Sequence, residues 1–258
     1  MRRSLIQLRW LARRSALRTL RRPAAFYPSL LFPLVLLVIT TGGLHLSEHV
    51  PGFPATSYFA FALAGAFVQG ALVGGVNAGV DLATDMQTGF LNRLSLTPTP
   101  RRLVILGELA GAVVLALSQA ALYLIIAVAS GVRLASGPGG AAVVLALTVL
   151  MSLAFSSFGA FLALRTRSSE AVLGTFPLTF VLLLFSSFFM PRALMHRGWF
   201  ATVAAWNPVS YLIEAVRGLV ITGWDTGALA RGFAVAGGLA GLAVALTALT
   251  LRTRSVAA

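Results

Sequence analysis

Apolar runs of about 20 residues recur six times along the chain, at roughly 26–44, 57–80, 103–130, 139–164, 171–190 and 229–251, each about the length that crosses a hydrocarbon layer of about 30 Å as a helix. Helix is the conformation such a run takes in lipid, because an open strand would leave its amides unsatisfied. The pattern predicts an all-α integral membrane protein of six transmembrane helices in a single domain spanning 1–258, and an even number of spans places both termini on one side. Pro28, Pro33 and Pro177 predict kinks. Gly70 to Gly74 and Gly75 to Gly79 form overlapping small-xxx-small surfaces that permit close helix approach without naming the partner helix.

Three polar segments interrupt this regularity. In residues 1–25, Arg3, Arg14, Arg18, Arg21 and Arg22 share about a third of a helical wheel, with Leu5, Ile6, Leu8, Trp10 and Leu17 over much of the rest. Two readings stay open: a helix in the inner-leaflet interface with arginines toward anionic headgroups, or a basic topogenic tail. Two prolines in the following apolar run and the lack of a small-x-small cleavage site favour a retained first span over a removed signal. Between Asp81 and Pro98 a short helix carries an apolar stripe of Leu82, Met86, Phe90, Leu91 and Leu94. It reads either as a docking helix for a soluble partner or as an interfacial turn joining two spans. Pro98 and Pro100 stop it from continuing into the third run.

The third segment lies between the fifth and sixth runs. Asn207-Pro208 reads as an N-cap followed by proline at the first helical position, and Gly223 as the stop, which predicts a helix of about 15 residues, too short to span. Glu214 and Arg217 are spaced to pair on its surface. The segment is expected to form an outer-face or re-entrant helical hairpin, with Trp199, Trp206 and Tyr211 at interfacial depth.

Charge sets the orientation. All 20 basic residues are arginine, against 7 acids, for a net charge of +13. Fifteen arginines fall in the N-terminal segment, the 81–102 island, the connection near 165 and the C-terminal tail, and five on the opposite side. By the positive-inside rule the termini and the island are cytoplasmic, so the basic excess is a topology signal and not a nucleic-acid footprint. With 58% hydrophobic residues and a mean hydropathy of +0.88, the composition agrees with a bilayer protein.

The same composition limits chemistry. No lysine means no phosphate-binding loop of the Gly-x-x-x-x-Gly-Lys-Ser/Thr type and no Schiff base, and 0 Cys means no disulfide or thiolate metal site. His45 and His49 flank Glu48, but no fourth ligand is near, so no metal site is expected. Polar residues within the runs are better functional candidates, because lipid burial disfavours them. Gln69, Asn77 and Gln119 either bond between helices or touch a transported compound, and Phe185, among several aromatics of the fifth run, suits an apolar substrate or a dimer contact equally.

Two motifs carry a resemblance. Asp85-x-x-x-Gly89-Phe90-x-x-Arg93-Leu94 before Thr97-Pro98, and Asn207-Pro208-Val-x-x-Leu-x-Glu214-Ala-x-Arg217-Gly-Leu, together with Phe188-Phe-Met-Pro191, resemble the permease subunits of type-two ATP-binding-cassette (ABC) exporters, in the daunorubicin-resistance-like branch. The resemblance covers nearly the whole chain. It implies that the island is a coupling helix, with Asp85, Gly89, Phe90, Arg93 and Leu94 docking a separate ATPase subunit. It also implies two copies of that ATPase and a second permease, identical or homologous, in a bacterial cytoplasmic membrane. ATP and Mg would then be used by the partner, with no cofactor on this chain. Glu108 after Gly107 departs from the family's common basic residue. It could favour a cationic substrate or pair with Arg101 or Arg102.

The expected function is a non-catalytic permease that exports a hydrophobic or amphipathic compound such as a drug or antibiotic, with a lipid or lipid-linked glycan as the alternative cargo. A secondary transporter without an ATPase is the competing class. Against it stand the absence of a visible internal repeat and the position of the acids near span ends.

Overall fold

The computed structural model describes residues 2–90, 93, 101–195 and 198–255. Ten α-helices are found among them: α1 Arg2–Leu20, α2 Pro23–Leu44, α3 Tyr58–Gln87, α4 Arg101–Ala129, α5 Gly137–Thr166, α6 Ser169–Leu173, α7 Phe176–Leu184, α8 Trp199–Trp206, α9 Pro208–Arg217 and α10 Thr226–Ser255. Five stretches, 26–49, 58–87, 103–129, 137–166 and 226–251, are helices long and apolar enough to cross a membrane.

Helix α3 is the axis of the bundle: 94% of its most apolar stretch is buried, against 22% for those of α2 and α10. Glycines allow the approach. A Cβ on Gly79 would sit 2.7 Å from the Gly159 carbonyl oxygen, and one on Gly75 would sit 2.6 Å from the Phe155 Cβ. The small-residue surface of α3 therefore takes α5 as its partner, backbone against backbone, where lipid supplies no hydrophobic drive and packing must hold the pair. Phe61, Phe67, Tyr123, Leu147, Met151, Phe188 and Leu212 fill the core around it.

The fifth apolar run, expected as one helix over 171–190, is two short helices. α6 ends at Leu173, Gly174 and Thr175 break the path, and Pro177 restarts it in the first turn of α7. This broken segment still runs the length of α3. Val172 packs at Gly79 near one end, and Phe188 packs at Gly65 near the other, where the Phe189 carbonyl accepts a 3.1 Å bond from the Tyr58 hydroxyl.

The hairpin turns back into the bundle. The Ser187 amide donates to Ser210 Oγ at 3.1 Å, and Arg217 lies beside Phe61, so α9 runs along the N-terminal half of α3 toward Phe61. Asn207 makes this turn, as its sequence context predicts. Its Oδ1 caps the Val209 amide at 2.9 Å, while its Nδ2 donates to the Leu182 and Phe185 carbonyls at 2.6 and 2.9 Å. After Arg217 one π-helical turn, Gly218–Thr222, carries the chain to Gly223, whose φ of 97° suits only glycine.

The Gly75/Gly159 contact predicts a sharp contrast. Gly159→Leu would drive a side chain into the Gly75 backbone and should lower stability by about 1–3 kcal/mol or more. Gly237→Ala, where nothing lies within 4 Å, should leave it unchanged or slightly raised. Thermal unfolding of the detergent-solubilised protein, followed by size exclusion, measures both.

Candidate functional site

The end of the bundle at the α3 C-terminus gathers charge. Arg14, Arg18 and Arg22 recur every four residues on one side of α1 and its exit, while Asp81 and Asp85 recur at the same interval on α3, so the two rows can mesh along their length. Arg14 Nη2 meets Asp85 Oδ2 at 3.0 Å, Arg18 Nη1 meets Asp85 Oδ1 at 2.8 Å and Arg18 Nη2 meets Asp81 Oδ1 at 3.1 Å. Arg22 Nη1 completes the row on Asp81 Oδ1 at 2.7 Å. A third carboxylate joins from α4. Glu108 Oε1 accepts from Arg14 Nη1 at 3.0 Å, and its Oε2 accepts from Ser15 Oγ at 3.2 Å. Three arginines thus neutralise three acids across α1, α3 and α4, and the Asp85 and Glu108 side chains are left 7% and 8% exposed.

Close packing holds α1 in this register. A Cβ on Gly107 would meet the Leu11 Cβ at 2.5 Å, and one on Gly111 would meet Thr19 Oγ1 at 2.8 Å. The Gly107-x-x-x-Gly111 surface of α4 is therefore the seat of α1. Sequence reasoning passed over it, although its spacing matches the small-residue signal recognised on α3. The matched four-residue intervals of arginine and aspartate were likewise legible as a pairing.

These contacts correct the expectation that the α1 arginines face lipid headgroups. Arg14 and Arg18 turn toward the bundle because buried Asp85 and Glu108 and half-buried Asp81 need counter-charges, and exposed Arg22 reaches Asp81 from the rim, while Arg9, Arg13 and Arg21 stay exposed. The opposite surface shows Leu5, Ile6 and Trp10, each more than half exposed. Glu108 is held by Arg14 and Ser15, and the Arg101 and Arg102 side chains lie outside the described residues.

The expected separate helix over Asp81 to Pro98 also changes. Its first seven residues are the last two turns of α3, and Leu82 and Met86 pack inside the bundle with Ala160, Ala163 and Val172. Neutralised aspartates let α3 run on to Gln87. Gly89 then turns the chain with a φ of 71° and open space at its Cβ position. Phe90 follows directly, its ring 3.8 Å beneath the Arg14 guanidinium, and exposed Arg93 returns its amide to the Gly89 carbonyl at 3.0 Å. Leu91 and Leu94 lie outside the described residues.

The other candidates scatter. Asn77 Nδ2 donates to Ser29 Oγ and Gln119 Nε2 to the Ser29 carbonyl, both at 2.7 Å, which ties α2 to α3 and α4. Gln69 is buried, with no partner for its amide among the described residues. Phe185 packs with its ring 6.1 Å from those of Trp199, edge to face, and Phe200, tilted, in the hairpin. Glu214 does not pair with Arg217 as its spacing suggests; it bonds Arg192 across the hairpin. Arg217 is buried over the Phe61 ring at 3.6 Å and donates to the Ser187 carbonyl at 2.9 Å.

The Gly89 turn with Phe90 and Arg93, and the hairpin capped by Asn207, are where the described residues of the two sequence motifs fall. Residues 6–221 match the ABC-2 type transporter family model. The chain belongs to the ABC-2 type transporter family. It is 30% identical over 212 residues to the daunorubicin resistance ABC transporter permease protein DrrB1 of Streptomyces coeruleorubidus, covering 80% of this chain and 72% of that protein. It is also 30% identical over 230 residues to the transport permease ycf38 of Pyropia yezoensis, covering 83% and 74%. The counterpart from Porphyra purpurea is 29% identical over 210 residues, covering 80% and 71%. ABC-2 membership makes this chain a multi-pass membrane permease and implies an ABC ATPase as its partner.

The charge row predicts an asymmetry. Asp85→Asn leaves Arg14 and Arg18 short of a carboxylate and should destabilise the solubilised protein by about 3 kcal/mol. Arg9→Gln, at an exposed site with no ion pair given to it, should change the unfolding midpoint little. Thermal scans at low and at high salt should show the Asp85 effect persisting, since a buried network is weakly screened.

Proposed function

We propose that this ABC-2 permease is the membrane subunit of an ATP-driven exporter in a bacterial cytoplasmic membrane, with both termini cytoplasmic. In this reading the broken α6–α7 segment is a sixth crossing. Two permeases, identical or homologous, line the path, and two ATPase copies drive it. The cargo is a hydrophobic or amphipathic compound such as a drug or antibiotic, a class suggested by the printed name of the Streptomyces relative. ATP and Mg act on the ATPase, and this chain holds no cofactor.

The observation that carries the reading is the turn at Gly89. It places Phe90 and Arg93 at the exposed inner end of α3, directly below the charge row, with Phe90 under the arginine that also holds Glu108 of α4. A push on this turn is transmitted through Arg14 to α1 and α4 together, because both helices share that guanidinium. Asp85 then serves as a linker behind the docking surface, while Gly89, Phe90 and Arg93 form it, with Leu94 assigned there by the motif alone. The mechanical demand is a rigid connection, and ion pairs to the buried Asp85 and Glu108 carboxylates supply one.

The test compares wild type with a Phe90→Asp/Arg93→Glu variant, each gently purified with its native partners. An ATPase subunit should accompany wild type and be lost, with ATP-dependent transport in liposomes, from the variant. An intact chain that moves substrate alone and without ATP would instead establish a secondary transporter.

A further inference from the structure

A cavity of about 300 Å³ lies between α3, α5, α7, the start of α9 and α10. Leu72 and Val76 of α3 form its back, and Phe158, Leu178, Leu182 and Leu242, all exposed by more than a third, stand around its mouth. Thr175 and Thr179 also line it, but each hydroxyl is spent on a helix carbonyl, of Val172 and Phe176, at 2.7 Å. The wall therefore offers a ligand almost nothing but carbon. Its origin lies in the break at Gly174–Thr175, which interrupts the helix that would otherwise cover this side of α3.

The position of the mouth identifies what enters. It opens sideways, toward the bilayer, and reaches from Pro208 down to Val172, which is in the half of the bundle nearer the charge row. The cavity-lining stripe of α5, Phe158 and Leu162, continues one turn on to exposed Arg165, and exposed Arg167 closes that helix in a left-handed conformation with φ 56°. The adjoining acid, Glu170, accepts hydrogen bonds from Ser168 and Ser169. An apolar slot of about ten water volumes, rimmed by exposed apolar side chains and with Arg165 and Arg167 beyond its Leu162 end, matches one acyl chain below an anionic headgroup.

We infer that this cavity binds one anionic phospholipid of the inner leaflet, with an acyl chain in the slot and its phosphate against Arg165 and Arg167. The lipid fills the gap left by the broken helix and wedges α7 against α10. This site is internal to one permease and does not depend on what the protein exports.

The test uses the full chain, purified in mild detergent with whatever subunit accompanies it, and mixed with phosphatidylglycerol or phosphatidylcholine. Native mass spectrometry then counts retained lipid. Wild type should keep one phosphatidylglycerol per permease in preference to phosphatidylcholine. Thr179→Phe and Leu242→Trp, which fill the slot from opposite walls, should each abolish retention, and monodisperse elution on size exclusion reports that they fold. Arg165→Gln and Arg167→Gln lie on exposed surface and should each reduce the preference about fivefold. Retention unchanged in both filled variants, an equal affinity of wild type for the two lipids, or a retained compound that is not a phospholipid would overturn the inference. Because the readout involves neither ATP nor transport, its failure is distinct from failure of the exporter reading.

Discussion

Three carboxylates at one end of a membrane bundle must be neutralised, and the arrangement of this permease follows from how that is done. Asp81, Asp85 and Glu108 come from two helices, and the guanidinium groups that answer them come from a third, α1. Isolated, any of these charges would be costly next to lipid. Meshed, they fix the azimuth and height of α1 against α3 and α4, and Gly107 and Gly111 let the backbones come close enough for short bonds. An amphipathic segment that could float on the membrane surface is thereby made part of the bundle.

The opposite half of the bundle solves a similar problem by different means. Arg217 is buried without a carboxylate bonded to it; backbone carbonyls of Phe61, Ser187 and Phe188 and the face of the Phe61 ring receive its charge. The Ser187 and Phe188 carbonyls are available because the chain after α7 is irregular and offers them no helical partners. Glu214 is thereby released to hold Arg192, across the hairpin. The re-entrant turn, the broken helix and the buried arginine are therefore one construction, in which each irregularity supplies what another needs.

A connection between the two ends runs through α3. Its glycine face locks onto α5, its C-terminal end carries the charge row and leads into the Gly89 turn, and its N-terminal end holds Tyr58 and Phe61 under the hairpin. A helix with neighbours on all sides moves as a unit, whereas α2 and α10, largely exposed, can shift against lipid.

Periodicity and composition alone determined the class of molecule, because a run of apolar residues in lipid has only the helix open to it. They also determined the cap at Asn207, the stop at Gly223 and the presence of a tight glycine surface on α3, each a local property of backbone chemistry. The two motifs were enough to point to the family. Tertiary structure alone decided which charges pair: Glu214 with Arg192 and not with Arg217, Glu108 with Arg14, and the α1 arginines with acids about 60 to 90 residues away. Local spacing cannot show this, since a side chain three residues along a helix competes with any partner that folding brings nearer. The break in the fifth run was equally hidden, because hydropathy averages over Gly174, Thr175 and Pro177 and only the packing against α3 and the hairpin shows what the break makes room for.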